Sequence, residues 1–177
     1  FEEILDYLEE LGSRLDINTN EHLQRSRDLT YDATPLPREI IDMGYTGFSS
    51  FFEREKMRQL AEKSVGLDYL NGWVEHKLID GVRLKVRAFG TRTLHIVAGN
   101  GPGLGLITLA RCAVTRSDCI IKAPSNDPFT SAALARTMVD MAPDHPITRH
   151  FSVAYWKGGD AAVEDKLYQP HNIEKIV

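Results

Sequence analysis

The chain has 177 residues, 42% of them apolar and 26% charged, an ordinary balance for a globular protein with one core and a small appendage. A net charge of −4 leaves no basic footprint, which argues against nucleic acid as a partner. No apolar run approaches the roughly 20 residues needed to cross a bilayer, and the acidic start Phe1-Glu-Glu-Ile-Leu-Asp6 is wrong for a signal peptide, so the cytoplasm is the default location.

Residues 1–80 read as a helical N-terminal segment. Ile4, Leu5, Leu8, Leu11 and Leu15 form an apolar stripe at helical spacing, interrupted by Gly12. Asn20 is the expected N-cap of a second helix. Thr34-Pro-Leu-Pro37 is a break, with Pro37 in the first turn of a short helix through Met43. Ser49 or Ser50 is the expected cap of the next helix, which carries Phe52, Met57, Leu60 and Ala61 toward a core. The stretch 68–78 also reads as helix, with a weak point at Gly72. His22 and His76 stand alone and are assigned to surface or packing roles.

Over 81–92 the period changes to two. Val82, Leu84, Val86 and Ala88 alternate with Arg83, Lys85 and Arg87, which predicts a half-exposed connecting strand ended by Gly90. Its basic face is expected to be solvated or to meet another copy of the chain.

Residues 93–177 then alternate strand and helix. Strands are expected at 94–98, 119–122, 151–156 and from 173 to 177. Helices are expected from Leu104 to Arg116, from an Asp127 cap and Pro128 to about Met141, and from Asp160 toward Tyr168. Such alternation predicts an α/β fold, a parallel sheet with flanking helices, preceded by the helical segment. Ligands bind at the carboxyl ends of such strands, which here carry Asn100, Lys122-Ala-Pro-Ser-Asn126 and Lys157-Gly-Gly159.

The glycine-rich turn in Thr93-Leu-His-Ile-Val-Ala-Gly-Asn-Gly-Pro-Gly-Leu-Gly105 is suited to phosphate or to a developing anion. It fails the dinucleotide fingerprint, because the third glycine would fall on Leu104 or Leu106. Asn100 is either an oxyanion donor or a turn asparagine tolerant of left-handed geometry. Lys122 is either a donor to ribose or phosphate or a surface lysine. His95, inside a strand, reads as a packed core histidine. Cys112 and Cys119, with six residues between them, lack metal-like spacing and read as buried reduced thiols, with no metal expected. The absence of an initiator Met and a stop at Glu174-Lys-Ile-Val177, within strand-like sequence, suggest a piece of a longer chain.

Four runs carry a resemblance: Val97-Ala-Gly-Asn-Gly-Pro102, Ile121-Lys-Ala-Pro-Ser-Asn-Asp-Pro128, Val153-Ala-Tyr-Trp-Lys-Gly-Gly-Asp160 and Asn172-Ile-Glu-Lys-Ile-Val177. In this order and at these intervals they resemble the acyl-CoA reductase family. Its members include the fatty acid reductases that supply aldehyde to bacterial luciferase, and it is a branch of the aldehyde dehydrogenase superfamily. The resemblance covers residues 80–177 well and the helical start loosely.

It implies a partial, Rossmann-like NAD(P)-binding domain over 93–177. Asn100 resembles the oxyanion-hole asparagine of aldehyde dehydrogenases. Lys122 resembles the lysine that holds the adenosine ribose, with Pro124 and Ser125 beside it. Gly99, Gly101 and Pro102 fall at the cofactor turn, and Gly158 and Gly159 resemble the turn beside the adenine. Many NAD-preferring relatives carry Glu where this chain has Ser125, which favours NADPH over NADH, since a serine accommodates a 2′-phosphate.

The implied reaction takes an acyl-CoA or other acyl thioester to an aldehyde through a cysteine thioester. That cysteine lies well after the fourth strand in the superfamily, and neither Cys112 nor Cys119 matches it. The resemblance therefore implies the cofactor-binding part of a reductase, inactive alone, with homo-oligomerisation usual in the superfamily and a contact expected at 82–89. The alternatives are a noncatalytic nucleotide-binding or assembly module, or an unrelated doubly wound enzyme with another phosphate ligand.

Overall fold

In the computed structural model, which describes residues 1–177, the N-terminal segment folds into five helices: α1 (Glu2–Arg14), α2 (Glu21–Ala33), α3 (Arg38–Thr46), α4 (Arg54–Ser64) and α5 (Leu67–Asn71). Gly12 does not break α1. It is buried inside the helix, and a Cβ there would stand 3.1 Å from the Ser49 carbonyl and 3.3 Å from Phe52 Cβ, so glycine lets the turn before α4 approach closely. Asn20 caps α2 as its position suggests, its side chain accepting the Leu23 N–H at 2.9 Å. Pro37 flanks α3, which runs past Met43 to Thr46.

Neither Ser49 nor Ser50 caps α4. Glu53 occupies that position, and Ser50 instead donates to the Gly47 carbonyl at 3.2 Å. The intervening turn buries Phe48 and Phe52, and that burial sets where the helix can begin. His22 lies at the surface beside Asp140, and His76 stacks on Tyr69.

The expected helix over 68–78 is the largest departure. Only Leu67–Asn71 is helical; Gly72 is extended, and Val74–Lys77 forms strand β1, paired antiparallel with β2 (Arg83–Val86). The hydrogen bonds that settle this come from residues 83–86, which a local periodicity cannot see.

The second sheet contains β3 (Arg92–Ile96), β4 (Asp118–Lys122), β5 (Phe151–Ala154) and β6 (Lys175–Ile176), all parallel, in the spatial order β5-β4-β3-β6. Between them run α6 (Leu104–Thr115), α7 (Thr130–Met141), the single turn α8 (Pro146–Arg149) and α9 (Ala161–Leu167). The strands are displaced or shortened relative to the sequence pattern. β3 lies at 92–96 rather than 94–98, β5 stops at Ala154, and β6 covers only 175–176, although ladder bonds from Glu174 N to Arg92 O and from Val177 N to Leu94 O extend the pairing. α7 begins at Thr130, yet Asp127 still serves its start, accepting the Thr130 N–H at 3.1 Å and hydroxyl at 2.6 Å.

The register puts Thr93, His95, Cys119, Ile121 and Phe151 on one face and Leu94 and Ile120 on the other. The first face packs under α6, α7 and the N-terminal helices. Leu94 on the second packs with Trp156 and Ile173, alongside Val163 and Leu167 of α9. A single cluster of 25 buried residues joins Leu5, Leu8 and Leu11 of α1 to Leu106 and Leu109 of α6 and to Leu134 and Met138 of α7. The helical segment and the sheet thus share one core. No helix is long and apolar enough to cross a membrane.

A buried polar thread ties the two parts together. The Tyr45 hydroxyl bonds Ser26 Oγ and Thr130 Oγ1, each at 2.8 Å, and the Thr130 hydroxyl donates to Asp127. Burial raises the Asp127 carboxyl above its ordinary range, while the Thr130 donors work the other way. Tyr45→Phe leaves buried hydroxyls short of a partner, at a cost of about 1–3 kcal/mol. The urea midpoint is expected to fall with an unchanged slope; an unchanged midpoint would show that the thread contributes nothing.

Candidate functional site

Strands β3 and β4 end side by side, with Ile96 opposite Lys122. The sheet order reverses between β3 and β6, and ligands of open parallel sheets bind beyond the carboxyl ends at such a point. From this edge the chain enters the glycine turn, which is gripped from two sides. On one side, the Asn126 side-chain amide donates to the Gly99 carbonyl, and a Cβ on Gly99 would overlap that same amide. On the other, the Pro102 ring packs against Gly44 of α3 so closely that a Cβ there would overlap it. Gly103 adopts φ +95°, a conformation that favours glycine. The tip is left free: Asn100 is exposed, and no atom lies within 4 Å of where a Cβ on Gly101 would sit. Of the turn residues expected at a cofactor, Gly99 and Pro102 therefore have packing reasons of their own, while Asn100 and Gly101 face open space.

The turn delivers the chain into α6, whose first N–H groups receive no side-chain cap. The starts of α7 and α9 are each served by a carboxylate, from Asp127 and Asp160. α6 thus keeps the positive end of its dipole and its free donors at the carboxyl edge.

Lys122 closes β4, half-buried, with its ammonium 5.3 Å from the centre of the Trp156 ring. The Trp156 indole N–H donates to Glu164 at 3.0 Å, and the same carboxylate oxygen accepts the Gly159 N–H at 3.1 Å. The Trp156 bond, then the Gly159 N–H, hold the Glu164 carboxyl below its usual range, with the Lys122 charge adding to them. Gly159 requires its glycine for a φ of +83°, and the space beside Gly158 and Gly159 is open. Pro124 and the exposed Ser125 follow in the turn after β4. The structure thus brings Lys122 and the Gly158-Gly159 turn together through Trp156 and Glu164, two residues the motif reading did not single out. Trp156 had a visible signal, a tryptophan at the end of an apolar strand pattern; Glu164 had none.

Comparison with known proteins identifies the family. The family model described as acyl-CoA reductase (LuxC) matches residues 1–172. The chain belongs to the LuxC acyl-CoA reductase family. The match takes in the helical segment, which the sequence motifs tied to the family only loosely. Among curated relatives, a long-chain acyl-protein thioester reductase of Vibrio harveyi is 47% identical over 84 residues, 46% of this chain and 18% of that protein. Proteins of the same name from Photorhabdus luminescens and Photorhabdus laumondii are 41% identical over 86 residues and 43% over 79. The matched segments span 16–18% of these three relatives' own lengths.

In this LuxC-family chain both cysteines are buried and lie away from the carboxyl edge. Cys119 is near the start of β4, and Cys112 lies eight residues beyond Leu104 in α6, about 12 Å along the helix axis. His95 is more than a core histidine. Its Nε2 stands 3.3 Å from Cys112 Sγ, and the donor atoms of His95, Cys112 and Cys119 all fall within 4.8 Å of one another. No spacing rule finds this cluster, because its members come from β3, α6 and β4. The Cys119 thiol, with His95 and Thr93, holds the Cys112 thiol well below its usual range, and the shared proton pushes Cys119 up.

Proposed function

We propose that the chain is the N-terminal, cofactor-holding part of an acyl thioester reductase, cytoplasmic, that reduces a fatty acyl thioester to an aldehyde with NADPH. The observation that carries this is the family match over residues 1–172, laid on a carboxyl edge that presents Asn100, Lys122 and the uncapped α6 together. The name of the relatives, long-chain acyl-protein thioester reductase, supports a long acyl chain held as a thioester.

The residues fit a phosphate-bearing nucleotide. An ammonium held over Trp156, free helix N–H donors and glycines with open space beside them are what such a group requires. NADPH, when bound, supplies the hydride that reaches the acyl carbon. Lys122 donates to the ribose and its 2′-phosphate, and the Ser125 hydroxyl donates where a carboxylate would repel. Gly158 and Gly159 leave room for the adenine. Asn100 donates its amide to the acyl oxygen as negative charge develops there. Neither cysteine of the chain reaches this edge, so the acyl-carrying thiol comes from outside these residues, and the 177-residue chain alone turns over no thioester. Self-association is assigned to the β1–β2 hairpin, where Trp73, Val82, Val86 and Phe89 are exposed.

Trp156, the remaining tryptophan of a Trp73→Phe variant, provides the readout. NADP+ added to the chain is expected to change its fluorescence, and Lys122→Ala to weaken binding roughly 10–100-fold, the worth of a charge-assisted hydrogen bond. Ser125→Glu is expected to turn the preference from NADP+ to NAD+. Equal affinity for wild type and Lys122→Ala would remove the assignment of the adenosine end, and thioester-dependent NADPH oxidation by the chain alone would refute the external thiol.

A further inference from the structure

The face of the sheet covered by α6 holds a second cluster of chemical groups. Register places Thr93, His95 and Cys119 on one face of β3 and β4, and α6 lays Cys112 over them. We propose that His95 Nε2, Cys112 Sγ and Cys119 Sγ bind a single Zn2+ ion.

Geometry supports it first. Zinc bonds of about 2.3 Å to sulfur and 2.0–2.1 Å to nitrogen, at a tetrahedral angle, set sulfur and nitrogen about 3.5 Å apart. The Cys112–His95 distance is 3.3 Å, and the whole set lies within 4.8 Å, so small side-chain movements close it around an ion.

Charge selects the metal. Two thiolates and one neutral imidazole balance a divalent ion, so the buried site carries no net charge; a monovalent copper ion would leave one negative charge in apolar surroundings. Soft sulfur ligands likewise disfavour magnesium and calcium. Access is also present. Both cysteines line a cavity of about 330 Å³ that Ser117, Asp118, His145 and His150 also border, giving an entry path and room for a water as fourth ligand. Thr93, whose hydroxyl donates to the Asp118 carbonyl at 2.6 Å and lies 3.6 Å from Cys112 Sγ, supports the ligand set from behind. An ion there would pin α6, which begins at the glycine turn, to the two strands that end beside it.

The chain contains only two cysteines, so any thiolate-to-metal signal reports this pair. Cobalt titrated into the reduced, metal-free chain is expected to give a thiolate-to-cobalt charge-transfer band that saturates at one equivalent and is displaced by zinc. Cys119→Ser and His95→Gln are each expected to weaken the affinity at least ~10-fold. A folded wild-type chain that shows no such band, or that binds cobalt without a sulfur signal, overturns the proposal. Should the variants fail to fold, the wild type decides alone: zinc is expected to slow iodoacetamide alkylation of both cysteines together, and equal rates with and without zinc overturn the site.

Discussion

Replacing Asn100 with alanine in the reductase that carries this chain is expected to lower kcat roughly 10²–10³-fold, the usual cost of removing one oxyanion donor. Cofactor affinity is expected to stay the same. The size of the effect depends on preorganisation. Asn100 sits at the exposed tip of a turn whose two shoulders are fixed, one by the Asn126 bond to the Gly99 carbonyl and the other by Pro102 against Gly44. The fixed shoulders place the backbone at Asn100, so that only its exposed side chain has to turn toward the acyl oxygen as charge develops there. In the proposed role the Asn100 bond to the acyl oxygen forms fully only in the transition state, so kcat and kcat/KM are expected to fall together. Steady-state kinetics alongside NADP+ titration check this, and an unchanged kcat would return Asn100 to the role of a turn residue.

Leu8→Ala is expected to cost about 2–5 kcal/mol, the range for a fully buried leucine in a well-packed core. Leu8 is completely buried on α1, which packs against α4, α6 and α7. Because the 25-residue cluster is continuous from α1 to α7, this loss is shared by the sheet region. In a Trp73→Phe background the remaining tryptophan, Trp156, packs on the far face of the sheet and reports that region, while far-ultraviolet circular dichroism reports the helices. The two denaturation curves are expected to shift together to one lower midpoint. A shift confined to the helical signal would show that residues 1–80 unfold on their own. Losses of this size matter against a total stability on the order of 5–15 kcal/mol.

The sequence by itself determined the alternation of strand and helix after residue 92, the Asn20 and Asp160 caps, the Asp127 position at the head of α7 and the family. Each of these is a short-range signal: a side-chain period, a capping oxygen two or three residues from its N–H, or a motif read in order. Tertiary structure decided what depends on partners distant in the chain. Residues 74–77 became strand because 83–86 supply their ladder bonds. Gly12 stayed within α1 because its missing side chain admits Phe52 and the Ser49 carbonyl. The Lys122, Trp156 and Glu164 arrangement needed β4, β5 and α9 to meet at one edge. The His95, Cys112 and Cys119 cluster needed a parallel register that turns the same face of two strands toward one helix. Periodicity says which residues share a face, and only the register and packing of separate elements say which faces meet.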